Sequence, residues 1–313
     1  MQDVVAYVFP GQGSQAIGMG QDLQDSYSTA REVFQEADEA LGFSLSQLCF
    51  EGPEEDLRQT HNAQPAIMAT SIACLRVARE EGLLPPGVSF VAGHSLGEYT
   101  ALVAAGALSF SDGLRLVRER GRLMQQAGEQ VSSGMAAVLG LEEELLRDIC
   151  NETGVQVANL NCPGQVVISG PSSELARAMD LAKTRGARQV IALNVSGAFH
   201  SPVMRPAQEG LTHYLEQISI QDPSVPVIAN VTARPVQDAE SVRTALVQQL
   251  CSPVQWHPSV EWMLGQGVNS FIEFGPGRVL AGLIKRINRQ AQVTSIGDAA
   301  SLEKLRQETN GPQ

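Results

Sequence analysis

Short apolar runs alternate with amphipathic stretches of helical period along nearly the whole sequence, starting with residues 4–9. That alternation predicts an α/β architecture with a mostly parallel sheet. Ser28 is placed to cap a helix whose apolar face runs through Ala30, Val33, Phe34, Ala37 and Leu41, with Gly42 as its stop. Further helices are expected over residues 63–81, 98–108 and 111–126, and strands over 88–92, 225–231 and 270–274, with helices near 241–250 and 258–265. The pattern changes in the middle of the chain. Residues 135–195 read strand, helix, strand, strand, helix, strand, the ferredoxin-like order. The chain of 313 residues is therefore expected to carry a small subdomain, residues 129–197, inserted into a large one built from residues 1–128 and 198–313. The polar tail after about residue 298 is expected to fray.

With 43% hydrophobic and 18% charged residues, the chain can bury a substantial core and is neither disordered nor a coiled coil. Its formal net charge of −12 disfavours general attraction to nucleic acid or an anionic membrane. Cys49, Cys74, Cys150, Cys162 and Cys251 form no C-x-x-C pair and suit neither a disulfide framework nor a zinc site. No signal peptide or membrane span is read, so the expected location is cytoplasmic.

Gly93-His94-Ser95-Leu96-Gly97 matches G-x-S-x-G and stands between an apolar strand and a helix, where a nucleophile elbow has mechanical meaning. The plainer alternative is a tight glycine turn that only packs. Ser95 would project at a helix N-terminus, with the Leu96 N–H free to donate to an oxyanion. A serine needs a base. His94 adjoins it, but an elbow points neighbouring side chains apart; His61, His213 and His257 sit in polar contexts that suit solvated histidines. His200, in a loop of small residues at the junction of the two subdomains, is the favoured partner.

Arg120 falls on the same helical stripe as Leu116, Val117, Leu123 and Met124. A cation on an apolar face either snorkels out, pairs with a buried acid, or waits as a planar fork for a substrate carboxylate. The loop from Phe9 to Ala16 fits G-x-G-x-x-A and so admits a dinucleotide reading, although no strand with an acidic end follows about 20 residues later. The other use of such a loop is to hold Gln12 or a backbone N–H over the sheet end as a second oxyanion donor.

Taken together, Phe9 to Gln15, Gly93 to Tyr99, Arg120-Gly121, Asn161 to Gln165, Ala198 to Ser201, Pro253 to Trp256 and Glu273 to Gly277 resemble the acyltransferase family that loads malonyl groups from malonyl-CoA onto acyl carrier protein. The likeness spans nearly the whole chain. It implies an α/β-hydrolase-like core with a ferredoxin-like insertion, and a reaction through an acyl-serine. By residue it implies Ser95 as nucleophile, His200 as base, and Gln12 with Leu96 as the oxyanion hole. Arg120 would be the ligand of the malonyl carboxylate and the Gln249 carbonyl the group orienting His200, while Phe199 matches the malonyl-selecting form of its loop. With Arg120, the residues Met124, Phe199, Asn161 and Gln165 make up the expected substrate-binding set.

The five histidines show no metal-ligand spacing, so no metal is expected, and neither is a cofactor; a monomer is expected, and the resemblance implies as partner a phosphopantetheine-bearing carrier protein. Such carriers are acidic, so docking needs a local basic patch. Two clusters qualify, Arg278, Lys285, Arg286 and Arg289 along one expected helix, and Lys183, Arg185 and Arg188 in the insertion; each is equally readable as a solvated face. The competing functions are a polyketide-directed malonyl transferase, an acyl hydrolase on the same scaffold, and a non-catalytic carrier-binding protein.

Overall fold

The structure, a computed structural model, describes residues 4–310. In chain order its strands are β1 (Val5–Phe9), β2 (Phe90–Gly93), β3 (Ser133–Leu139), β4 (Gln156–Cys162) and β5 (Gln165–Pro171). They continue with β6 (Gln189–Ala192), β7 (Val227–Ala229), β8 (Arg234–Val236), β9 (Ser270–Phe274) and β10 (Gln292–Ile296). One sheet has the order β10-β9-β1-β2-β7-β8, parallel except for the antiparallel edge strand β8. The other, β4-β5-β3-β6, is antiparallel throughout. Counted within the insertion its strand order is 2-3-1-4, the ferredoxin-like arrangement expected from the sequence.

β1 lies between β9 and β2, and every residue of it is buried, as a central parallel strand covered on both faces requires. The 21-residue helices Thr60–Glu80 and Phe110–Gln130 pack against each other on one side of this sheet. Met135, Ala137, Ala158 and Val167 of the small sheet belong to the main apolar cluster of the large one. Backbone bonds seal the junction: Leu160 N–H donates to Val254 O at 2.9 Å, and Val254 N–H donates to Ala158 O at 2.8 Å. Among the described residues no helix is long and apolar enough to cross a membrane.

Several local expectations need correction. The helix Ser28–Leu41 begins at Ser28 with Tyr27 in the cap position and no side-chain cap, while Gly42 does stop it in the left-handed region. The C-terminal segment forms the helix Ala299–Asn310 instead of fraying. There the buried Leu302, 1% exposed, anchors a mostly polar sequence, and Ala299 N–H donates to Asp22 Oδ2 at 2.7 Å. β8 escaped the sequence reading because Pro235 interrupts it, and proline is tolerated at a sheet edge. β10 is polar for the same positional reason, since an edge strand is only partly covered. β6 is shorter than expected, and residues 193–195 beyond it form part of a cleft wall. The basic helix Val279–Ile287 holds Lys285 and Arg286; Arg278 stands at its cap and Arg289 beyond its end.

Candidate active site

The chain leaves β2 at Gly93 and enters the helix Leu96–Ala104 directly after Ser95. Ser95 adopts φ 52°, ψ −104°, a conformation that costs a non-glycine residue about 1–3 kcal/mol. The flanking glycines make the turn possible. A Cβ on Gly93 would lie 1.9 Å from Gly97 C, and one on Gly97 would lie 2.0 Å from Phe9 O. Asn230, just past β7, locks the strained turn from the neighbouring strand. Ser95 N–H donates to Asn230 Oδ1 at 2.7 Å, and Asn230 Nδ2 donates to Gly93 O at 2.7 Å.

Of the candidate bases, it is His200 that the fold brings to the serine. Ser95 Oγ and His200 Nε2 are 2.9 Å apart, and His200 Nδ1 lies 2.9 Å from Gln249 O. A carbonyl can only accept, so Nδ1 carries the proton and Nε2 is left free to take one from Ser95. Burial and then the nearby Arg120 charge push the imidazole pKa down to about 3, which keeps it neutral at ordinary pH. The remaining histidines are engaged elsewhere. His94 Nε2 contacts Asn161 Oδ1 at 2.8 Å, His61 Nδ1 contacts Gln125 Oε1 at 3.0 Å, His257 Nε2 lies 3.0 Å from Glu261, and His213 faces solvent.

Arg120 neither snorkels nor forms an ion pair. It is 1% exposed, and it donates from Nη1 to Gln64 Oε1 at 2.8 Å and from Nη2 to Gln249 Oε1 at 2.9 Å and to Ser95 Oγ at 3.0 Å. Its guanidinium lies 5.0 Å from the centroid of the Tyr99 ring. All three acceptors are neutral, so among the described residues no carboxylate is hydrogen-bonded to this buried cation.

These groups open onto a cleft of about 420 Å³ between the two sheets, lined also by Gln12, Leu96, Met124 and Phe199. The Gln12 and Leu96 amides have no partner among the described residues, whereas Gly97 N–H and Glu98 N–H are bonded to His94 O and Ser95 O. The Gln12 side chain points to Thr60 Oγ1 at 3.4 Å. Asn161 meets the site through His94 and is itself 7% exposed. Gln165 stands apart: it begins β5 outside the cleft lining, where Arg286 Nη1 donates to its Oε1 at 2.5 Å. The β4–β5 hairpin turns it toward the basic helix, so the fold does not bring it together with Arg120, Met124 and Phe199.

Gln64, Asn230 and Glu98 join the site without being among the residues expected there from the sequence. Gln64 is a wholly buried amide on a helix of mostly apolar inward positions, the same signal that singled out Arg120. Asn230 follows the carboxyl end of a strand beside β2, where open α/β sheets gather their site residues.

The fold and this serine–histidine–arginine constellation define an acyl-transferring protein, and the chain belongs to the acyl transferase domain family, whose model matches residues 6–313. Within that family its relatives are specific. It is 47% identical over 304 residues to the malonyl CoA-acyl carrier protein transacylase of Bacillus subtilis (strain 168), covering 96% of this chain and 95% of the relative. The structure is similar to an acyl-carrier-protein-S-malonyltransferase from Bartonella henselae, with TM-score 0.93, 43% identity and coverage of 99% of this chain and 100% of that one. It is also similar to a malonyl-transacylase solved in complex with a type II PKS acyl-carrier protein, with TM-score 0.94, 42% identity and coverage of 97% and 99%.

Proposed function

We propose that this protein transfers the malonyl group of malonyl-CoA to the pantetheine thiol of an acyl carrier protein, supplying fatty acid biosynthesis. The observation that carries this reading is the contact of one serine oxygen with both a neutral imidazole, at 2.9 Å, and a buried guanidinium, at 3.0 Å. A base primes the nucleophile on one side, and on the other a cation without a carboxylate partner is placed to recognise an acyl group that carries one.

In the assigned sequence of events the malonyl carboxylate pairs with Arg120 and the thioester carbonyl reaches Ser95. As Oγ attacks, its proton passes to His200 Nε2, and the Gln12 and Leu96 amides hold the oxyanion. Collapse breaks the C–S bond, and the departing CoA sulfur takes the proton from the imidazolium. The carrier thiol then attacks malonyl-Ser95 by the same steps in reverse order, which gives ping-pong kinetics. Gln249 serves through its carbonyl to hold the His200 tautomer; Met124 and Phe199 form walls for the acyl group. The cleft lies between a large subdomain, residues 1–128 and 198–313, and a small one, residues 129–197. The assignment includes a monomeric, cytoplasmic enzyme.

Intact-mass analysis after mixing with malonyl-CoA tests the proposal. A single malonyl adduct, absent in Ser95→Ala and discharged by a phosphopantetheinylated carrier, is expected. Free malonate released without a carrier would make the protein a hydrolase, and no adduct at all would leave a carrier-binding protein without chemistry. Because one structural relative was solved with a polyketide carrier, the discharge step should be run with both fatty acid and polyketide carriers.

A further inference from the structure

Glu98 is a carboxylate where the reaction as described needs none. It is 1% exposed, one helical turn beyond the nucleophile, and it touches neither Ser95 Oγ nor the cleft. Its Oε2 accepts from Gln249 Nε2 at 2.6 Å and from Asn230 N–H at 3.1 Å. The other end of the same Gln249 amide, Oε1, accepts from Arg120 Nη2 at 2.9 Å. Gln249 is wholly buried, so the amide is fixed at both ends, nitrogen to the carboxylate and oxygen to the guanidinium. Turning it over would set NH₂ against guanidinium and oxygen against carboxylate.

A buried cation needs compensating charge, yet a carboxylate bonded directly to Arg120 would fill the fork that an incoming carboxylate must use. An oriented amide between the two resolves the conflict: it takes only one Nη2 hydrogen and is neutral, so it relays the field without pairing off the charge, and Arg120 Nε is buried with no hydrogen-bond partner among the described residues. Resting on the malonyl-transfer reading, we propose that Glu98 is a positioning residue, the counter-ion of Arg120 acting through the Gln249 amide, which compensates the guanidinium while leaving it open to the acyl carboxylate. The main-chain oxygen of Gln249 holds His200, so the same residue ties this counter-ion to the base as well.

Glu98→Gln removes the charge and keeps an oxygen that can accept from Gln249 and Asn230. In a Ser95→Ala background, which cannot be acylated, malonyl-CoA and acetyl-CoA binding are measured by calorimetry at about pH 8, above the shifted Glu98 titration. With its counter-ion gone, Arg120 should bind malonyl-CoA at least about threefold more tightly, while acetyl-CoA affinity stays within about twofold. A structural role alone would weaken both or neither, and an unchanged malonyl-to-acetyl ratio overturns the proposal.

A second arm needs no change at position 98. Burial pushes the Glu98 pKa up to about 7, so lowering the pH from about 8 to about 6 in the Ser95→Ala protein neutralises it and should raise the same ratio. The CoA phosphates cancel in that ratio. The groups facing Glu98 do not interfere: Arg120 stays charged, burial pushes Tyr99 up to about 12, and His200 and His94 are both held low by burial. A ratio that does not rise overturns the proposal. Absence of any malonyl preference in the Glu98-containing protein would instead overturn the carboxylate-site reading of Arg120, and this inference with it.

Discussion

Arg120 Nη2 lies 3.0 Å from Ser95 Oγ, so the cation assigned to the acyl carboxylate touches the atom assigned to attack the acyl carbonyl. This contact sets a length: only a short acyl chain fits with its carbonyl on Ser95 and its far end on Arg120. Arg120→Ala should slow malonyl loading of Ser95 by orders of magnitude, from losing a contact of about 2–5 kcal/mol to a desolvated carboxylate, and should tolerate acetyl groups better. Succinyl-CoA, one methylene longer, should load at least about tenfold more slowly than malonyl-CoA. Single-turnover mass spectrometry with the three donors reads both effects, and unchanged malonyl kinetics in the variant would refute the assignment.

The pH behaviour of His200 follows from its surroundings. Its folded pKa of about 3 lies below the ordinary histidine value, so the neutral form needed as base persists as the medium is acidified. In a Glu98→Gln protein, which lacks the Glu98 titration at about 7, labelling of Ser95 by an uncharged serine-reactive reagent should show no inflection near about pH 6.5, where a solvated histidine would titrate. The stability consequence has the opposite sense. The unfolded chain takes up a proton that the folded site refuses, so this site favours unfolding increasingly as the pH falls below about 6.5. A labelling rate that halves at the ordinary histidine pKa would contradict the buried, arginine-facing environment.

Gly93 has no room for a side chain, because its Cβ would fall 1.9 Å from backbone of Gly97. Gly93→Ala must push the helix off the strand or break the turn, at a cost of at least about 2 kcal/mol. Lower thermal stability together with loss of Ser95 acylation is the expected result. A variant that melts with the parent and still loads would mean that the elbow is less tightly built than these contacts require.

Lys183 and Arg188 are exposed as Lys285, Arg286 and Arg289 are, but Lys183 pairs with Asp180 and Arg185 with Glu152, whereas among the described residues no carboxylate forms an ion pair with Lys285, Arg286 or Arg289. The end of the helix Val279–Ile287 is thus the basic surface with the less neutralised charge for an acidic carrier. Arg286→Glu should raise the KM for carrier protein and leave the malonyl loading of Ser95 unaffected. Steady-state kinetics with varied carrier, set beside single-turnover loading, separates the two steps; an unchanged carrier KM would remove this surface from consideration.

How much was legible in the sequence depended on the range of the interaction involved. Alternating runs and glycine spacing are local, so they located β1, the elbow at Ser95 and the ferredoxin-like order of the insertion. Edge strands and the last helix were missed where local polarity hid them: Pro235 in β8, and Leu302 anchoring Ala299–Asn310. Arg120 stood out as a charge on an apolar stripe, but its partners did not. The alternatives of snorkelling and acid pairing were settled only when the fold brought Gln64, 56 positions away, and Gln249, 129 positions away, to its two terminal nitrogens.

The sequence by itself determined which residue types sit on which elements, because hydrophobic period, turn glycines and helix stops act over a few residues. It also supplied the serine, the histidine and the arginine, and through resemblance the chemistry they suggest. Tertiary structure alone decided what those groups touch. The distance from Ser95 to His200 depends on how two sheets pack, and the neutral amide partners of the Arg120 guanidinium, Gln64 and Gln249, are contributed by two other helices. A side chain's partners are fixed by packing across the whole core, and no window along the chain contains that information.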